Sequence, residues 1–412
     1  MLRFMQAAFV APALVMGLPA TAQPTGCVAE VGHLGVNSAL IPGEAPVIRN
    51  GILYHVIFTN PSATDYELIA IDVTDPTSPV QVGTANVPND LLCGMPAAIG
   101  LRGTELYVLT SSGLSLYDIT TPGSPVRVRT LPTVALPCGG VNPGLAVHDQ
   151  CVVLLSDQVY VIDRALMRIP PPPPPGSPNN PIVKVLVPGG GAPQDVAILG
   201  DTAVVSTSSE LHAIDISLPP SSFIRESIYL PGFPGTLAFD EVGRLFVACS
   251  STDQMFEGVN PFTTPMPLTG IGTNSVLGTA ASGSLYVTGS ETSGAMVHRV
   301  SDPSSPVLVG TSSPFLCESV TFLDSNTLIT TSRDAGIFFL DISNCGADEC
   351  AADYNADATP DVLDFLDFFD DFGQCDQQPA PCGSFGDPDV NGDTTIDVLD
   401  FLDFLDAFGQ GC

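Results

Sequence analysis

Two stretches near the carboxyl end of the chain place oxygen-bearing residues at alternating positions. Residues 353–364 read DYNADATPDVLD, and residues 389–400 read DVNGDTTIDVLD. A 12-residue loop of this kind points oxygens inward from its positions 1, 3, 5, 7, 9 and 12, and a hard cation takes about six to eight oxygen ligands. The residues at those positions are Asp353, Asn355, Asp357, Thr359, Asp361 and Asp364, and then Asp389, Asn391, Asp393, Thr395, Asp397 and Asp400. The spacing predicts two calcium ions, with the two threonines contributing main-chain carbonyls.

One position in each loop departs from the usual pattern. Position 6 commonly holds Gly because the chain turns sharply there, whereas these loops carry Ala358 and Thr394. A side chain at that turn restricts the backbone conformations that the loop can adopt. We expect calcium binding in both loops, with reduced affinity.

A nearly identical apolar segment follows each loop, VLDFLDFFDDFGQ after the first and VLDFLDFLDAFGQ after the second. Apolar residues recur every three positions, at Leu363, Leu366 and Phe369 and at Leu399, Leu402 and Leu405. Further phenylalanines widen this face, at Phe365, Phe368, Phe401 and Phe404. The periodicity predicts a helix after each loop, with its apolar face packed on the twin helix.

The duplicated loop and helix, with the closing GQGC, resemble the GC-type dockerins of secreted bacterial proteins. The resemblance covers residues 350–412. It implies a small all-α module that folds around calcium and anchors the chain to a cohesin-like receptor. The family's receptor contacts map to Val362, Leu363, Phe369 and Asp370, and in the second copy to Val398, Leu399, Leu405 and Asp406. The alternative is that these apolar residues, Leu363 and Leu399 above all, form the core between the helices.

Four cysteines lie in this module, and a core this small benefits from covalent bridges. We expect two disulfides among Cys350, Cys375, Cys382 and Cys412, with the pairing left open.

Charge excludes some partners. The chain has 12 Lys and Arg against 44 Asp and Glu, a formal net charge of −32, and residues 345–412 hold 16 Asp and one Glu with no Lys or Arg. Such a field repels nucleic acid and anionic membrane surfaces. Cations and neutral surfaces remain as partners.

The amino terminus has the features of a secretory signal peptide. One Arg precedes an apolar run from Phe4 to Leu18, and Ala20, Thr21 and Ala22 form a cleavage pattern. The run is shorter than the ~20 apolar residues that span a bilayer. We therefore expect residues 1–22 to be removed, leaving a secreted, extracellular or surface-attached chain without a membrane span. Export would also allow disulfides among its 11 Cys.

A repeat dominates residues 27–345. Copies such as YELIAIDVTDPTSPVQVG align on one position, which is filled by Asp72, Asp118, Asp163, Asp215, Glu257, Arg299 and Asp341. Upstream of each, a turn precedes an apolar β-branched run, so each unit of about 42 residues holds four strands. Seven such units predict a seven-bladed β-propeller, and the fold class is mainly β. The repeat resembles the LVIVD repeats of bacterial surface proteins.

Two features interrupt or complete the ring. The run Pro170 to Pro175 lies in the one long interval and reads as a protruding loop, with an interdomain linker as the alternative. The seventh unit lacks its outer strand, whereas Cys27 to Gly32 reads like such a strand. The amino-terminal strand is predicted to close the ring, with a disulfide between Cys27 and Cys345.

Candidate catalytic groups in the propeller are sparse. Its histidines, His33, His55, His148, His212 and His298, form no ligand spacing. The repeated aspartates could be read as carboxylate pairs, but recurrence at one repeat position favours hydrogen bonding to the following turn. We expect Cys93, Cys138 and Cys317, near the starts of inner strands, to form disulfides rather than a catalytic site.

These observations favour a non-enzymatic secreted or cell-surface scaffold. The propeller would bind an extracellular glycan or protein, and the carboxyl-terminal module would anchor it. The alternative is a polysaccharide-degrading enzyme or accessory subunit carried by a dockerin, which lacks a recognisable acid and base pair here.

Overall fold

The computed structural model describes most of the propeller and parts of two carboxyl-terminal helices. The described residues are 25–35, 45–58, 66–88, 98–110, 113–131, 144–168, 182–188, 191–230, 232–259, 261–271, 276–290, 293–301, 303–312, 317–332, 335–345, 362–375, 396, 398, 400–402 and 404–405. Within them, no helix is both long and apolar enough to cross a bilayer.

The described residues between 25 and 345 form seven antiparallel sheets, the blades. The first described strands are β1 (Thr25–Gly26) and β2 (Ala29–Leu34), which join later sheets. The first blade comprises β3 (Val47–Arg49), β4 (Ile52–Phe58), β5 (Tyr66–Asp72) and β6 (Val80–Val87). The second comprises β7 (Ala98–Arg102), β8 (Glu105–Thr110), β9 (Gly113–Asp118) and β10 (Val126–Leu131). The third comprises β11 (Leu145–Val147), β12 (Cys151–Leu155), β13 (Val159–Asp163) and β14 (Ile182–Val185), with helix α1 (Arg164–Met167) between the last two.

The remaining blades follow the same order from the axis outward. The fourth comprises β15 (Asp195–Leu199), β16 (Thr202–Ser206), β17 (Glu210–Asp215) and β18 (Phe223–Tyr229). The fifth comprises β19 (Pro234–Phe239), β20 (Leu245–Cys249), β21 (Gln254–Phe256) and β22 (Met266–Pro267). The sixth comprises β23 (Val276–Ser282), β24 (Leu285–Ser290), β25 (Gly294–Arg299) and β26 (Val307–Thr311). The seventh comprises β27 (Ser319–Asp324), β28 (Thr327–Ser332), β29 (Gly336–Asp341) and β2.

The apolar runs of the sequence are continuous because both faces of each blade are buried. On β4, Tyr54 and Val56 pack towards the second blade, whereas Leu53 and Ile57 pack against Phe339 and its neighbours in the seventh. Successive strand residues point to opposite faces. A blade between two neighbours therefore needs apolar residues at consecutive positions, which explains the run ILYHVIF.

The amino-terminal strand closes the ring as predicted. Strand β2 pairs antiparallel with β29, placing Ala29 opposite Asp341, and Cys27 forms a disulfide with Cys345 across a Cα–Cα distance of 5.1 Å. The short strand β1, which the sequence did not predict, adds to β26 as a fifth strand of the sixth blade. The amino-terminal segment thus ties the sixth and seventh blades together.

The long interval in the repeat is not a linker between domains. Strand β13 before it and β14 after it pair within one sheet, with Ile162 opposite Ile182. The insertion therefore lies inside the third blade. Pro170 to Pro175 themselves lie outside the described residues.

Several outer strands contain a β-bulge, which explains the SPVxVG pattern at the end of the repeat (SPVQVG in the first blade). In the first, second and sixth blades the extra residue is the second valine of the motif, at Val82, Val128 and Val309. A bulge increases local twist and turns an exposed edge aside. The glycine after it fits a tight contact between blades, because a Cβ at Gly83 would lie 2.0 Å from the main-chain oxygen of Gly123.

Candidate functional site

The two carboxyl-terminal segments form helices that pack on each other. Helix α2 spans Val362–Cys375, and residues 398, 400–402 and 404–405 are helical. Phe368 and Phe404 are fully buried, and their rings stack with centroids 4.0 Å apart. Phe365, Phe372 and Phe401 surround that pair. The prediction of two helices joined through phenylalanines is confirmed for these residues.

The predicted packing face was wrong in part. The sequence assigned Leu366, Phe369, Leu402 and Leu405 to the face that meets the twin helix, but all four are exposed, as is Val398. Of the four, Phe369 still meets the twin helix at one edge, with its ring centroid 6.3 Å from that of Phe401. Three-residue spacing fits two adjacent stripes of a helix with 3.6 residues per turn. Phe368, Phe404 and the phenylalanines around them occupy the inner stripe, whereas the stripe that contains the leucines and Phe369 faces solvent.

Burial repeats with the same 36-residue offset as the sequence. Phe368 and Phe404 are buried, whereas Phe369 and Leu405, one position later, are 56% and 38% exposed. Leu366 and Leu402 are exposed to similar extents. The pair of helices therefore presents an apolar stripe twice. We call Leu366, Phe369, Val398, Leu402 and Leu405 the exposed stripe.

Most of the predicted calcium ligands lie outside the described residues. These are Asp353, Asn355, Asp357, Thr359, Asp361, Asp389, Asn391, Asp393, Thr395 and Asp397. Of the remaining two, Asp364 lies in the first turn of α2, and Asp400 is helical and fully buried. Among the described residues, no three His, Cys, Asp or Glu converge as a metal site would require.

Two buried acids lie beside the predicted loops. Asp400 and Asp371 are both fully buried, in a segment, residues 345–412, that contains no Lys, Arg or His. The oxygen-rich donor set suits Ca²⁺, which Asp400 would help to hold. Sequence reasoning did not single out Asp371. The signal available was that the second copy has Ala407 at the equivalent position, which distinguishes the two helices.

Other predictions for this region remain untested. The side chains of Val362, Leu363, Asp370, Leu399 and Asp406 lie outside the described part of the structure. The same holds for the cysteine side chains at 350, 375, 382 and 412.

The repeated aspartates of the propeller have a structural role, as predicted. Six of the seven aligned positions end the third strand of a blade, and Glu257 directly follows β21. The Asp72 carboxylate accepts hydrogen bonds from the Thr74 main-chain N–H at 3.0 Å and hydroxyl at 2.7 Å. Those bonds lower the pKa of Asp72. The same acceptor position is filled at Asp118, Asp163, Asp215 and Asp341.

Three histidines are buried between blades. His55 lies on the same face of β4 as Leu53 and Ile57, which pack on the seventh blade. Burial lowers the pKa of His55 to about 4. His298 lies opposite Tyr286 and also has a pKa lowered by burial to about 4. Burial likewise lowers the pKa of His212. His33 stacks on Phe338, and His148 lies 3.5 Å from Asp201.

A charged cluster between the second and third blades was not predicted. Glu105 accepts hydrogen bonds from Tyr107 at 2.7 Å and from Arg168 at 2.6 Å, and it pairs with Arg164. Burial raises the pKa of Glu105, but these hydrogen bonds outweigh it and leave the pKa lowered. Arg164 also donates to the main-chain oxygens of His148 and Asp149. The cluster fastens one blade to the next.

The expected disulfide at Cys317 is wrong. Cys317 is a buried free thiol whose Sγ lies 3.5 Å from the Ser319 carbonyl, and burial raises its pKa to about 12. Cys151 and Cys249 are also buried free thiols with pKa values raised to about 12. Such thiols are poor nucleophiles. Cys93 and Cys138 lie outside the described residues.

Comparison with known proteins agrees with the blade structure. The LVIVD repeat family matches residues 63–87 and 190–230, which fall in the first and fourth blades. The chain contains LVIVD repeats. No curated protein matches it.

Among solved structures, the LVIVD propeller resembles the Neurospora crassa Pan2 WD40 domain. The two share 8% sequence identity with a TM-score of 0.51, over 76% of this chain and 95% of that one. In all, 1012 solved chains match. A fold so widespread shows architecture and not activity.

Proposed function

We propose that the chain is a secreted or cell-surface binding protein without catalytic activity. Its propeller is a platform for an extracellular protein or glycan, and residues 350–412 anchor it through calcium to a cohesin-like receptor. The observation that carries the proposal is the exposed stripe, which repeats on both helices beside calcium-loop sequences.

The exposed stripe has the features of a docking surface. Large apolar side chains grouped on a small surface favour a protein partner over water. Phe369, Val398 and Leu405 are also three of the positions to which receptor contacts map by resemblance to dockerins. Because Leu366 and Phe369 recur as Leu402 and Leu405, either helix can present a similar stripe to the receptor.

Export is supported by the ring closure. Disulfides persist in oxidising compartments outside the cytosol. The Cys27–Cys345 bridge fits such a compartment, and it begins a few residues after the predicted signal peptide. Calcium is also abundant enough outside cells to fill sites of modest affinity, as the substitutions at loop position 6 require.

A binding role for the propeller is supported by how its polar residues are used. The repeated aspartates cap turns, Glu105 is held by two arginines, and His55 and His298 are buried between blades. These groups, which could otherwise act as acid or base, are thus engaged within or between blades. Turnover of plant or algal glycans by the full chain would contradict this part of the proposal.

Two adjacent phenylalanines provide a matched test of the anchor. The full chain is immobilised with calcium and exposed to a detergent extract of the native cell envelope. Phe369→Ser should abolish receptor capture while most helix content is kept, because the Phe369 ring is 56% exposed and meets Phe365 and Phe401 only at the margin of the core. Phe368→Ser should lose helix content as well, because its ring lies in the core.

The outcome also depends on calcium. EDTA should release the captured receptor from the wild-type chain, and added calcium should restore capture. Capture that persists in EDTA, or that is unchanged in the double variant Phe369→Ser with Leu405→Ser, would contradict the anchor.

A further inference from the structure

The edge of the first blade carries a groove that no established role explains. It has a volume of about 440 Å³ and lies between β6 of the first blade and β10 of the second. Thr84, Ala85 and Asn86 form one wall, and Pro125, Val126 and Arg127 form the other, with Tyr117 between them. The groove lies on the side of the propeller, beside a strand with no neighbour on its outer side among the described strands.

The sixth blade shows what this kind of edge can accept. Its outer strand β26 carries the same motif as β6, VLVGT against VQVGT, so Gly310 and Thr311 correspond to Gly83 and Thr84. On β26 those two residues pair with Gly26 and Thr25 of β1. On the first blade Gly83 already contacts the Gly123 turn of the second blade, so the open counterpart of the covered position is Thr84, where the groove begins.

The main chain at Thr84 points outward. The N–H of Ser312 donates inward to Ala295 at 2.8 Å, so its neighbour Thr311 faces away from its own sheet, towards β1. Successive residues of an antiparallel strand turn their N–H and C=O groups to opposite sides. On β6, the Asn86 carbonyl accepts a hydrogen bond from the Tyr117 hydroxyl of the next blade at 2.9 Å, which shows that it faces outward. Thr84, two residues earlier, faces the same way.

Side chains in and near the groove indicate the chemistry of its occupant. Val126, which lines the groove, is 61% exposed, and Val80, four residues before Thr84 on β6, is 54% exposed. Arg127 is exposed beside Tyr117 and forms no ion pair within the described residues, in a chain of net charge −32. An apolar edge next to an arginine favours an extended peptide that carries an acidic residue.

We propose that the edge of β6 binds an acidic, extended segment of a partner protein as a fifth strand, antiparallel to β6, as β1 binds β26. Main-chain hydrogen bonds at Thr84 hold the segment, the exposed valines contact its apolar side chains, and Arg127 pairs with its carboxylate. This assignment rests on the proposed role of the propeller as a binding platform and identifies where one partner binds.

The test uses a phage-displayed library of random ten-residue peptides, selected on the calcium-loaded full chain. Enriched peptides are synthesised and titrated by fluorescence anisotropy. We expect them to combine β-branched or small residues with Asp or Glu. Thr84→Pro, which removes an outward N–H that an edge strand can lose without breaking its own ladder, should weaken binding about tenfold, the effect of one lost hydrogen bond.

Thr84→Val is the matched control, because it keeps the N–H and should bind as the wild type does. Arg127→Glu should reject acidic peptides and accept basic ones, and it tests the groove independently if Thr84→Pro fails to fold. Equal binding by the proline and valine variants would overturn the groove while leaving a platform elsewhere on the propeller. A library with no enriched peptide would also overturn it, whereas receptor capture by the helices is measured separately.

Self-association gives a further outcome. A dimer of the wild-type chain in light scattering that disappears in Thr84→Pro would assign the edge to a second copy of the chain. That result would overturn the assignment to a foreign partner.

Discussion

The propeller and the pair of carboxyl-terminal helices differ in how much apolar surface they bury. Each blade buries apolar residues on both faces against two neighbours, whereas the helices share one small cluster of phenylalanines. The helices also contain buried aspartates in a segment without Lys or Arg. The propeller therefore has an extensive apolar core in every blade, whereas the helix pair combines a small aromatic core with buried acids. The following predictions can break or sharpen that contrast.

Removal of calcium should have the largest effect and should be confined to one region. EDTA should unfold residues 350–412 and leave the propeller folded, because the calcium ions that we propose would offset the charge of the loops. Hydrogen exchange read by mass spectrometry checks this, with Mg²⁺ re-addition as the control for a general salt effect. Protection of α2 that survives EDTA would show that the helix pair is self-sufficient.

Loss of the closing disulfide should be the largest single change within the propeller. Cys27→Ser frees a bridge that spans 318 residues and should lower the free energy of unfolding by about 2–5 kcal/mol. Denaturant titration measures it. Cys317→Ser, at a buried free thiol, is the control and should not change the response of the propeller to reductant.

Acid should destabilise the propeller through its buried histidines. The pKa of His55 is lowered from 6.5 to about 4, so its contribution to stability is complete above pH 6.5 and is lost as the pH falls towards 4. The loss at pH 4 is about 3 kcal/mol. His55→Leu should flatten the fall of Tm between pH 6.5 and pH 4. An unchanged slope would show that His55 titrates normally.

The opposite sign applies to two buried acids. Burial raises the pKa of Asp253 and that of Asp195 to about 6, so their contributions to stability are lost as the pH rises from about 4 to 6. The Asp253→Asn variant separates this effect from that of His55.

The contact between an outer strand and the turn of the next blade should give the smallest effect on stability. Gly83→Ala places a methyl group 2.0 Å from the Gly123 oxygen and should cost about 1–3 kcal/mol by forcing the main chain to move. Gly235→Ala is the matched control, since its Cβ would meet only the Ala248 oxygen at 3.6 Å. Calorimetry that finds equal Tm values for both variants would show that the blades yield easily at this contact.

Sequence patterns predicted the parts of the fold that depend on local order. Alignment of the repeats showed that the seventh unit lacks its outer strand and that an extra strand precedes the first unit. This predicted both the closure of the ring and the Cys27–Cys345 bridge. Turn chemistry predicted the role of Asp72 and its counterparts.

Features that depend on the placement of separate elements could not be predicted in this way. The Glu105 cluster forms because Arg164 and Arg168 approach from a different blade, about 60 residues along the chain. The exposed stripe was misassigned because apolar periodicity gives the spacing on a helix and not the side that meets its partner. The fifth strand β1 is two residues long and has no pattern of its own.

The closing disulfide also determines how a mechanical load would be distributed in the propeller. The carboxyl-terminal module continues from Cys345, so a pull between an anchored module and a ligand on the propeller reaches the ring at that residue. Without the bridge, tension would peel β29 from its sheet one hydrogen bond at a time. With Cys345 joined to Cys27, the pull is divided between β29 and β2, which pair with each other and hold opposite ends of the same 318-residue loop. The bridge thus makes the force act on both strands at once, so that β29 cannot be separated from the ring alone.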